Sequence, residues 1–275
     1  MKVFLLNPPF LPKYSRCQRS PGVIRSGTLY YPIWLSYATG LLEKAGHTCR
    51  LTDAPADGLN LEDCLRLAGE HHPGLIVLDT STPSIHSDLK TAEALKKQHP
   101  QATVVLVGNH ASSTAEEILA PPDSAPGVDF IASREYDVTL CQLAEALEQK
   151  KDPRQVPGLY FLENGRVQLS APREYLDDLD ELPFVSSVYH HHLNIRNYFY
   201  SITQYPVITI ITGRGCPFKC IFCQYPQTMH GHSYRYRSVE NVVDEFQWIQ
   251  DNLPEVKEIF VEDDTLTVNK KRIRR

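Results

Sequence analysis

Five times between residues 2 and 150, a short run rich in Val, Ile and Leu is followed by a stretch with helical periodicity. The runs cover 2–7, 48–53, 74–80, 103–108 and 128–132, and the helical patterns cover 33–45, 61–71, 87–98, 113–119 and 138–149. Strands apolar on both sides need cover on both faces, and a parallel sheet with helices above and below it provides that cover. Repeated βα units of this length predict an open, doubly wound α/β domain, with the flavodoxin-like (Rossmann-type) strand order 2-1-3-4-5 as the natural arrangement. Gly46 fits the end of the first helix, and Asn60 and Ser112 fit helix N-caps.

A sheet of this kind receives ligands outside the carboxyl ends of its strands. The loops expected there are Asn7-Pro8-Pro9-Phe10, Thr80-Ser81-Thr82-Pro83 and Gly108-Asn109-His110-Ala111, which makes Pro8, Thr80, Gly108, Asn109 and His110 candidate binding residues. No Gly-x-Gly-x-x-Gly follows the first run, which disfavours an ordinary dinucleotide site and leaves simple turns as the alternative.

Residues 151–206 have a different character. Asp152-Pro153 and Pro157-Gly158 punctuate the exit from the sheet, and Asn164-Gly165 between two β-type runs signals a hairpin. An acidic linker follows at 177–183. The triplet His190-His191-His192 reads as structural, because three consecutive side chains do not face one ion from a helix or a strand. From residue 207 the βα pattern resumes, with a strand at 207–212, a helix at 239–251 and a second strand at 258–261. The division is therefore 1–150, 151–206 and 207–275.

With 42% hydrophobic and 22% charged residues, the 275-residue chain has enough apolar material for a packed core. Its 28 basic against 33 acidic side chains leave a net charge of −5, no footprint for nucleic acid. No apolar run approaches the ~18 residues of a membrane span, and the N-terminus has no secretory pattern, so a cytoplasmic protein is expected. Seven cysteines without a secretory signal read as buried thiols or metal ligands.

Three of those cysteines, Cys216, Cys220 and Cys223, stand in a C-x3-C-x2-C loop directly after a strand and the turn Gly213-Arg214-Gly215. Thiolates hold iron–sulfur clusters, and three from one loop leave one iron of a cubane open to a small molecule. Zinc held by the three cysteines with His230 or His232 is the rival reading, although structural zinc sites favour C-x2-C pairs.

This loop, with Phe222 just before its last cysteine, resembles the signature of the radical S-adenosylmethionine (radical SAM) superfamily. The doubly wound domain ahead of it is similar to the class of that superfamily with a cobalamin (B12)-binding domain. The resemblance implies that Cys216, Cys220 and Cys223 hold a [4Fe–4S] cluster whose open iron chelates S-adenosylmethionine, and that reductive cleavage releases a 5′-deoxyadenosyl radical. It implies that Phe222 lies near the adenine, that Glu262 and Asp264 after the second strand help bind S-adenosylmethionine, and that the sheet-end loops bind cobalamin. The reactions implied are cobalamin-associated methyl transfer or carbon-skeleton modification of a small molecule, lipid or tetrapyrrole. The implied electron source is a low-potential flavodoxin or ferredoxin.

Two departures bear on these expectations. The D-x-H-x-x-G motif that supplies a cobalt-ligating histidine is missing, the sequence after the second strand being Asp53-Ala54-Pro55-Ala56-Asp57-Gly58. At roughly 30 residues per βα unit, the segment after the linker holds two units, so it is expected to be the truncated start of the family's partial β/α barrel. A radical SAM enzyme without cobalamin and a cofactor-binding fragment without turnover remain alternatives.

Overall fold

Alternate residues of the central strands pack into opposite layers. A computed structural model of the chain describes residues 1–17, 21–120 and 127–275. In it β1 (Lys2–Asn7), β2 (Thr48–Asp53), β3 (Leu75–Asp79), β4 (Thr103–Val107) and β5 (Phe130–Ala132) form a parallel sheet in the order β2-β1-β3-β4-β5. This is the order expected from the alternation of runs.

One row of the sheet runs Leu51, Leu5, Val77, Val105 and Phe130, and all five side chains enter the same apolar layer. The neighbouring residues Leu6, Leu78 and Leu106 enter the other. This two-residue period is the signature of a strand buried on both sides. Each such side chain contributes roughly 1.5–3 kcal/mol of burial free energy.

The helices divide between the two faces as their apolar stripes require. From α1 (Ile33–Lys44) and α7 (Asp137–Glu148), Leu35, Ala38, Leu140 and Leu143 join the first layer. From α3 (Leu61–His71) and α4 (Ile85–Gln98), Leu67, Ala68, Ala92 and Leu95 join the second. Asn60 caps α3 in a capping box with Asp63, as expected. The turn α2 (Ala54–Asp57) follows β2, and α5 (Asn109–Ser113) and α6 (Ala115–Leu119) follow β4.

One local expectation is corrected. Ser112 does not cap a helix; it lies inside α5, whose N-cap is Gly108. The expected hairpin is present as β6 (Leu159–Glu163) and β7 (Arg166–Leu169), and β6 also pairs antiparallel with β5 and extends the sheet to seven strands.

The first apolar layer continues into the rest of the chain. Val185 and Val188 of α8 (Val185–His192), Ile208 and Ile210 of β8 (Val207–Ile210) and Ile249 of α9 (Val239–Asn252) belong to it. Tyr31 joins these parts. Its ring stacks on Tyr189 at 4.2 Å and Tyr198 at 3.9 Å, and its hydroxyl donates to the Val207 carbonyl at 2.8 Å.

β8 pairs in parallel with β11 (Glu258–Val261), and the short strands β9 (Gly213–Arg214) and β10 (Arg235–Tyr236) pair antiparallel beside them. The helical turn α10 (Lys270–Ile273) follows β11. Among the described residues no helix is long and apolar enough to cross a membrane.

Candidate functional site

The carboxyl ends of β1, β2 and β3 carry Asn7, Asp53 and Asp79, all buried. Arg16 crosses this edge, donating Nη1 to Asn7 Oδ1 and Nη2 to Asp88 Oδ1, each at 2.7 Å. Asn7 Nδ2 donates to Asp53 Oδ1 at 2.7 Å, and the Cys17 thiol donates to Asp79 Oδ2 at 3.3 Å. Three buried carboxyls with one guanidinium among them are poorly compensated. Burial, only partly offset by hydrogen bonds, accordingly pushes Asp53 up to about 7 and Asp79 up to about 6.

Thr80, Gly108, Asn109 and His110 line a narrow cleft at this edge, together with Arg16, Cys17 and Trp34. Gly108 sits at φ +104°, and a side chain there would meet the Thr80 carbonyl at 2.6 Å, so the two loops approach as only glycine allows. His110 Nδ1 lies 3.1 Å from Thr82 Oγ1. Pro8 is buried beyond the cleft and does not line it. The far wall is Gln224, Tyr225 and Met229, which follow the last cysteine. Thr228 Oγ1 donates to Asn109 Oδ1 at 3.1 Å, and this bond ties the segment to the sheet-end loop.

The cysteine loop leaves the end of β8 through a clamp. Thr212 N and Gly213 N donate to Asp263 Oδ1 at 2.6 and 3.2 Å, and the Thr212 and Tyr234 hydroxyls donate to Asp263 Oδ2 at 2.6 and 2.7 Å. Gly215 follows at φ +95°, where a side chain would lie 2.0 Å from the Ser233 carbonyl oxygen. The Cys216 amide donates to the Gly231 carbonyl at 3.3 Å and closes the base of the loop.

Cys216 and Cys223 are half-buried and Cys220 is exposed. Phe222 is 90% exposed. The thiols share one loop without converging on a centre: among the described residues no three His, Cys, Asp or Glu side chains are grouped to hold a metal ion. Three soft thiol donors on a partly solvent-exposed loop fit an iron–sulfur cluster by their chemistry. The zinc alternative loses a candidate ligand. His230 is buried, with Nδ1 2.9 Å from Glu135 Oε1, and is engaged there rather than with the thiols. The histidine triplet lies on α8, where His192 Nε2 meets Glu43 Oε1 at 2.9 Å.

A second cleft of about 420 Å³ opens between Tyr30, Trp34 and Phe260 on its aromatic side and Glu262, Asp263 and Asp264 on its acidic side. Glu262 accepts the Tyr200 hydroxyl at 3.4 Å. Cys17, Trp34 and Tyr225 line both clefts and so form the partition between them. Of the expected residues, the structure thus brings Thr80, Gly108, Asn109 and His110 together at one cleft and Glu262 and Asp264 at the next.

Residue spacing does not reveal a buried charge cluster beside the first cleft. Arg214 Nη1 donates to Asp137 Oδ2 at 2.6 Å and lies 3.5 Å from Glu135 Oε2. Arg235 donates to both oxygens of Glu135. The Arg214 guanidinium also faces the Trp34 and Tyr37 rings at 5.2 and 5.1 Å. Burial alone would raise the Glu135 carboxyl, but His230, Arg214 and Arg235 outweigh it and hold it at about 2. The only sequence signal for the cluster is that Arg214 and Arg235 bracket the cysteine segment.

A model of the B12 binding domain matches residues 19–144, and a model of the radical SAM superfamily matches residues 210–275. The chain is 28% identical over 272 residues to an uncharacterized methyltransferase of Pyrococcus horikoshii, covering 99% of this chain and 55% of that protein. It is 30% identical over 245 residues to the anaerobic magnesium-protoporphyrin IX monomethyl ester cyclase of Cereibacter sphaeroides, covering 88% and 38%. The chain thus spans about half or less of these relatives' length. Its fold is similar to the radical S-adenosylmethionine methyltransferase TsrM of Kitasatospora setae, with a TM-score of 0.71 at 17% identity over 99% of this chain and 50% of that one. It is also similar to the cobalamin-dependent S-adenosylmethionine radical enzyme OxsB, with a TM-score of 0.72 at 16% identity over 96% and 34%.

Proposed function

Because this chain belongs to the radical SAM proteins that carry a B12-binding domain, we propose that it pairs a [4Fe–4S] cluster on Cys216, Cys220 and Cys223 with cobalamin at the carboxyl edge of its sheet. The pair would serve methyl transfer or carbon-skeleton modification. When bound, the cluster and cobalamin supply the electron that cleaves S-adenosylmethionine and the methyl carrier, chemistry that side chains lack. The observation that carries this reading is the shared wall of the first cleft. Gln224, Tyr225 and Met229, just past the third cysteine, face Thr80, Gly108 and Asn109 at the strand ends.

The chain's own residues take the following roles. Thr80, Gly108, Asn109 and His110, with Pro8 behind them, receive cobalamin. Glu262 and Asp264 receive S-adenosylmethionine in the second cleft, and Phe222 folds toward its adenine. Asp263 holds the entrance of the cysteine loop. Trp34 and Tyr225, which line both clefts, would stand between the two cofactors. The chain divides into the cobalamin-binding unit at 1–150, a hairpin and linker at 151–206, and the start of the radical SAM core at 207–275.

A flavodoxin or ferredoxin in the cytoplasm supplies the electron. The substrate is a small molecule, lipid or tetrapyrrole. Support for that range comes from the relatives, which include the tetrapyrrole cyclase and a hopanoid C-3 methylase of Methylococcus capsulatus.

Anaerobic reconstitution with iron and sulfide tests the proposal. About four irons per chain, with the visible absorption of a cubane, are expected. Cobalamin added to the same sample should stay with the chain through gel filtration, and reduction with S-adenosylmethionine should release 5′-deoxyadenosine. Zinc without iron, or iron that survives replacement of all three cysteines, overturns the cluster assignment.

A further inference from the structure

We infer that Glu135 is a positioning residue: from the end of β5 it holds both flanks of the cysteine loop and thereby fixes the loop over the sheet-end cleft. The inference rests on the functional reading above for its consequence, but not for its geometry.

Glu135 follows β5 by three residues and is 7% exposed. Its single carboxylate gathers three groups from the other side of the cleft. Arg214 lies two residues before Cys216, and His230 and Arg235 lie seven and twelve residues after Cys223. The chain therefore enters and leaves the cysteine loop against the same carboxylate. Two further bonds make the grip effective. Arg235 Nη2 donates to the His230 carbonyl at 3.2 Å, and the Cys216 amide donates to the carbonyl of the next residue, Gly231. Three hydrogen bonds thus link Glu135 through Arg235, the His230 carbonyl and Gly231 to the first cysteine.

The energetics favour a geometric role over a purely stabilising one. A buried ion cluster is often no more stable than an apolar replacement, because desolvation offsets the Coulomb attraction. This cluster is also incompletely paired: Arg214 Nε and Nη2, His230 Nε2 and Arg235 Nε are buried without hydrogen-bond partners. An apolar contact would stabilise the interface more cheaply but would let the loop slide. The directional bonds of His230 and Arg235 to this carboxylate, with the Arg214 ion pair beside them at 3.5 Å, resist sliding. Removing that carboxylate leaves Arg214 its hydrogen bond to Asp137 and its aromatic contacts, and leaves Arg235 hydrogen-bonded to the Leu176 and His230 carbonyls over the Tyr175 ring.

The test uses the full chain with Glu135→Gln, Glu135→Asp and Arg235→Ala. In metal-free protein, hydrogen exchange at amides 216–231 should speed up about tenfold in Glu135→Gln and less in Arg235→Ala, with β1 and β3 unchanged. Glu135→Asp, which keeps the charge, should recover part of the protection. In reconstituted protein, Glu135→Gln should retain its iron and cobalamin. The dipolar distance between the reduced cluster and Co(II) cobalamin, read by pulsed EPR, should shift and broaden. Unchanged exchange in both Glu135→Gln and Arg235→Ala, or equal acceleration in β1 and β3, overturns the inference, as does an unshifted distance. If the wild-type chain takes up neither cofactor, the functional reading fails and the exchange result alone decides the positioning role.

Discussion

Tyr198 donates its hydroxyl hydrogen to Asp53 Oδ2 at 2.9 Å, joining the linker to the end of β2 across 145 residues. Asp53 also accepts Asn7 Nδ2 and the Ala56 amide, yet burial keeps its carboxyl at about 7. The folded state therefore binds a proton that the unfolded state, near 3.9, has released. The associated stability is complete below about pH 4 and is lost as pH rises through 7. Asp79, at about 6, acts in the same direction. Between pH 5 and pH 8 the contribution of these two carboxyls should fall, while His47, His71, His99 and His110, whose burial lowers their proton affinity, act the opposite way below about pH 6.5. Asp53→Asn should flatten part of that slope and stabilise the chain at pH 8 by on the order of 1–4 kcal/mol. Urea titrations of wild type and Asp53→Asn at several pH values measure it, and a difference between the two midpoints that does not grow from pH 5 to pH 8 contradicts it.

Tyr31 should be among the costliest side chains to truncate. Its ring is stacked between Tyr189 and Tyr198 and its hydroxyl reaches the start of β8. Tyr31→Ala should cost about 3–5 kcal/mol through the cavity it leaves. Tyr31→Phe should cost only about 1 kcal/mol, the net worth of one hydrogen bond. Equal losses in thermal unfolding would show that the stack contributes little.

The sheet order was legible because its strands are apolar on both faces, and that pattern leaves few arrangements. The docking of β6 on β5 was not, because Asn164-Gly165 specifies the turn and says nothing of which edge the hairpin joins. Ser112 looked like a cap by residue type, but the short helix begins earlier, at the tight passage of Gly108 past Thr80. The grouping of Cys216, Cys220 and Cys223 on one loop is legible because their spacing is local. Asp263 is not distinguishable from Glu262 and Asp264 in the sequence, since three adjacent carboxyls look alike until the Thr212 and Gly213 amides are placed. The pairing of Glu135 with His230 spans 95 residues and has no local pattern at all.

Replacing the cysteines should separate metal binding from folding. Cys216, Cys220 and Cys223 are exposed or half-buried, and Ile221 and Phe222 between them project into solvent. Each single alanine variant should change the stability of the metal-free chain by no more than about 0.5 kcal/mol. Each should also lose most of its reconstituted iron, measured with sulfide on the same samples. A variant that unfolds without metal would show that the loop carries structural weight that its exposure does not suggest.

Asp263 should govern the entrance of the cysteine loop through partners other than those of Glu135. Its Oδ1 accepts two backbone amides, Thr212 and Gly213, and its Oδ2 accepts two hydroxyls, Thr212 and Tyr234. In Asp263→Asn the remaining oxygen serves the two amides, and the new amide nitrogen donates to hydroxyls that turn round to accept. The cost should be about 1 kcal/mol. In Asp263→Ala both backbone amides lose their acceptor beside the buried end of β8, a cost of about 2–4 kcal/mol. Iron uptake should follow the same order, near wild type for Asn and reduced for Ala, because the amides set the direction in which the chain leaves the strand toward Cys216. Chemical denaturation and iron analysis of the two variants side by side would measure this. Full iron uptake by Asp263→Ala would mean that the loop finds its course without the clamp.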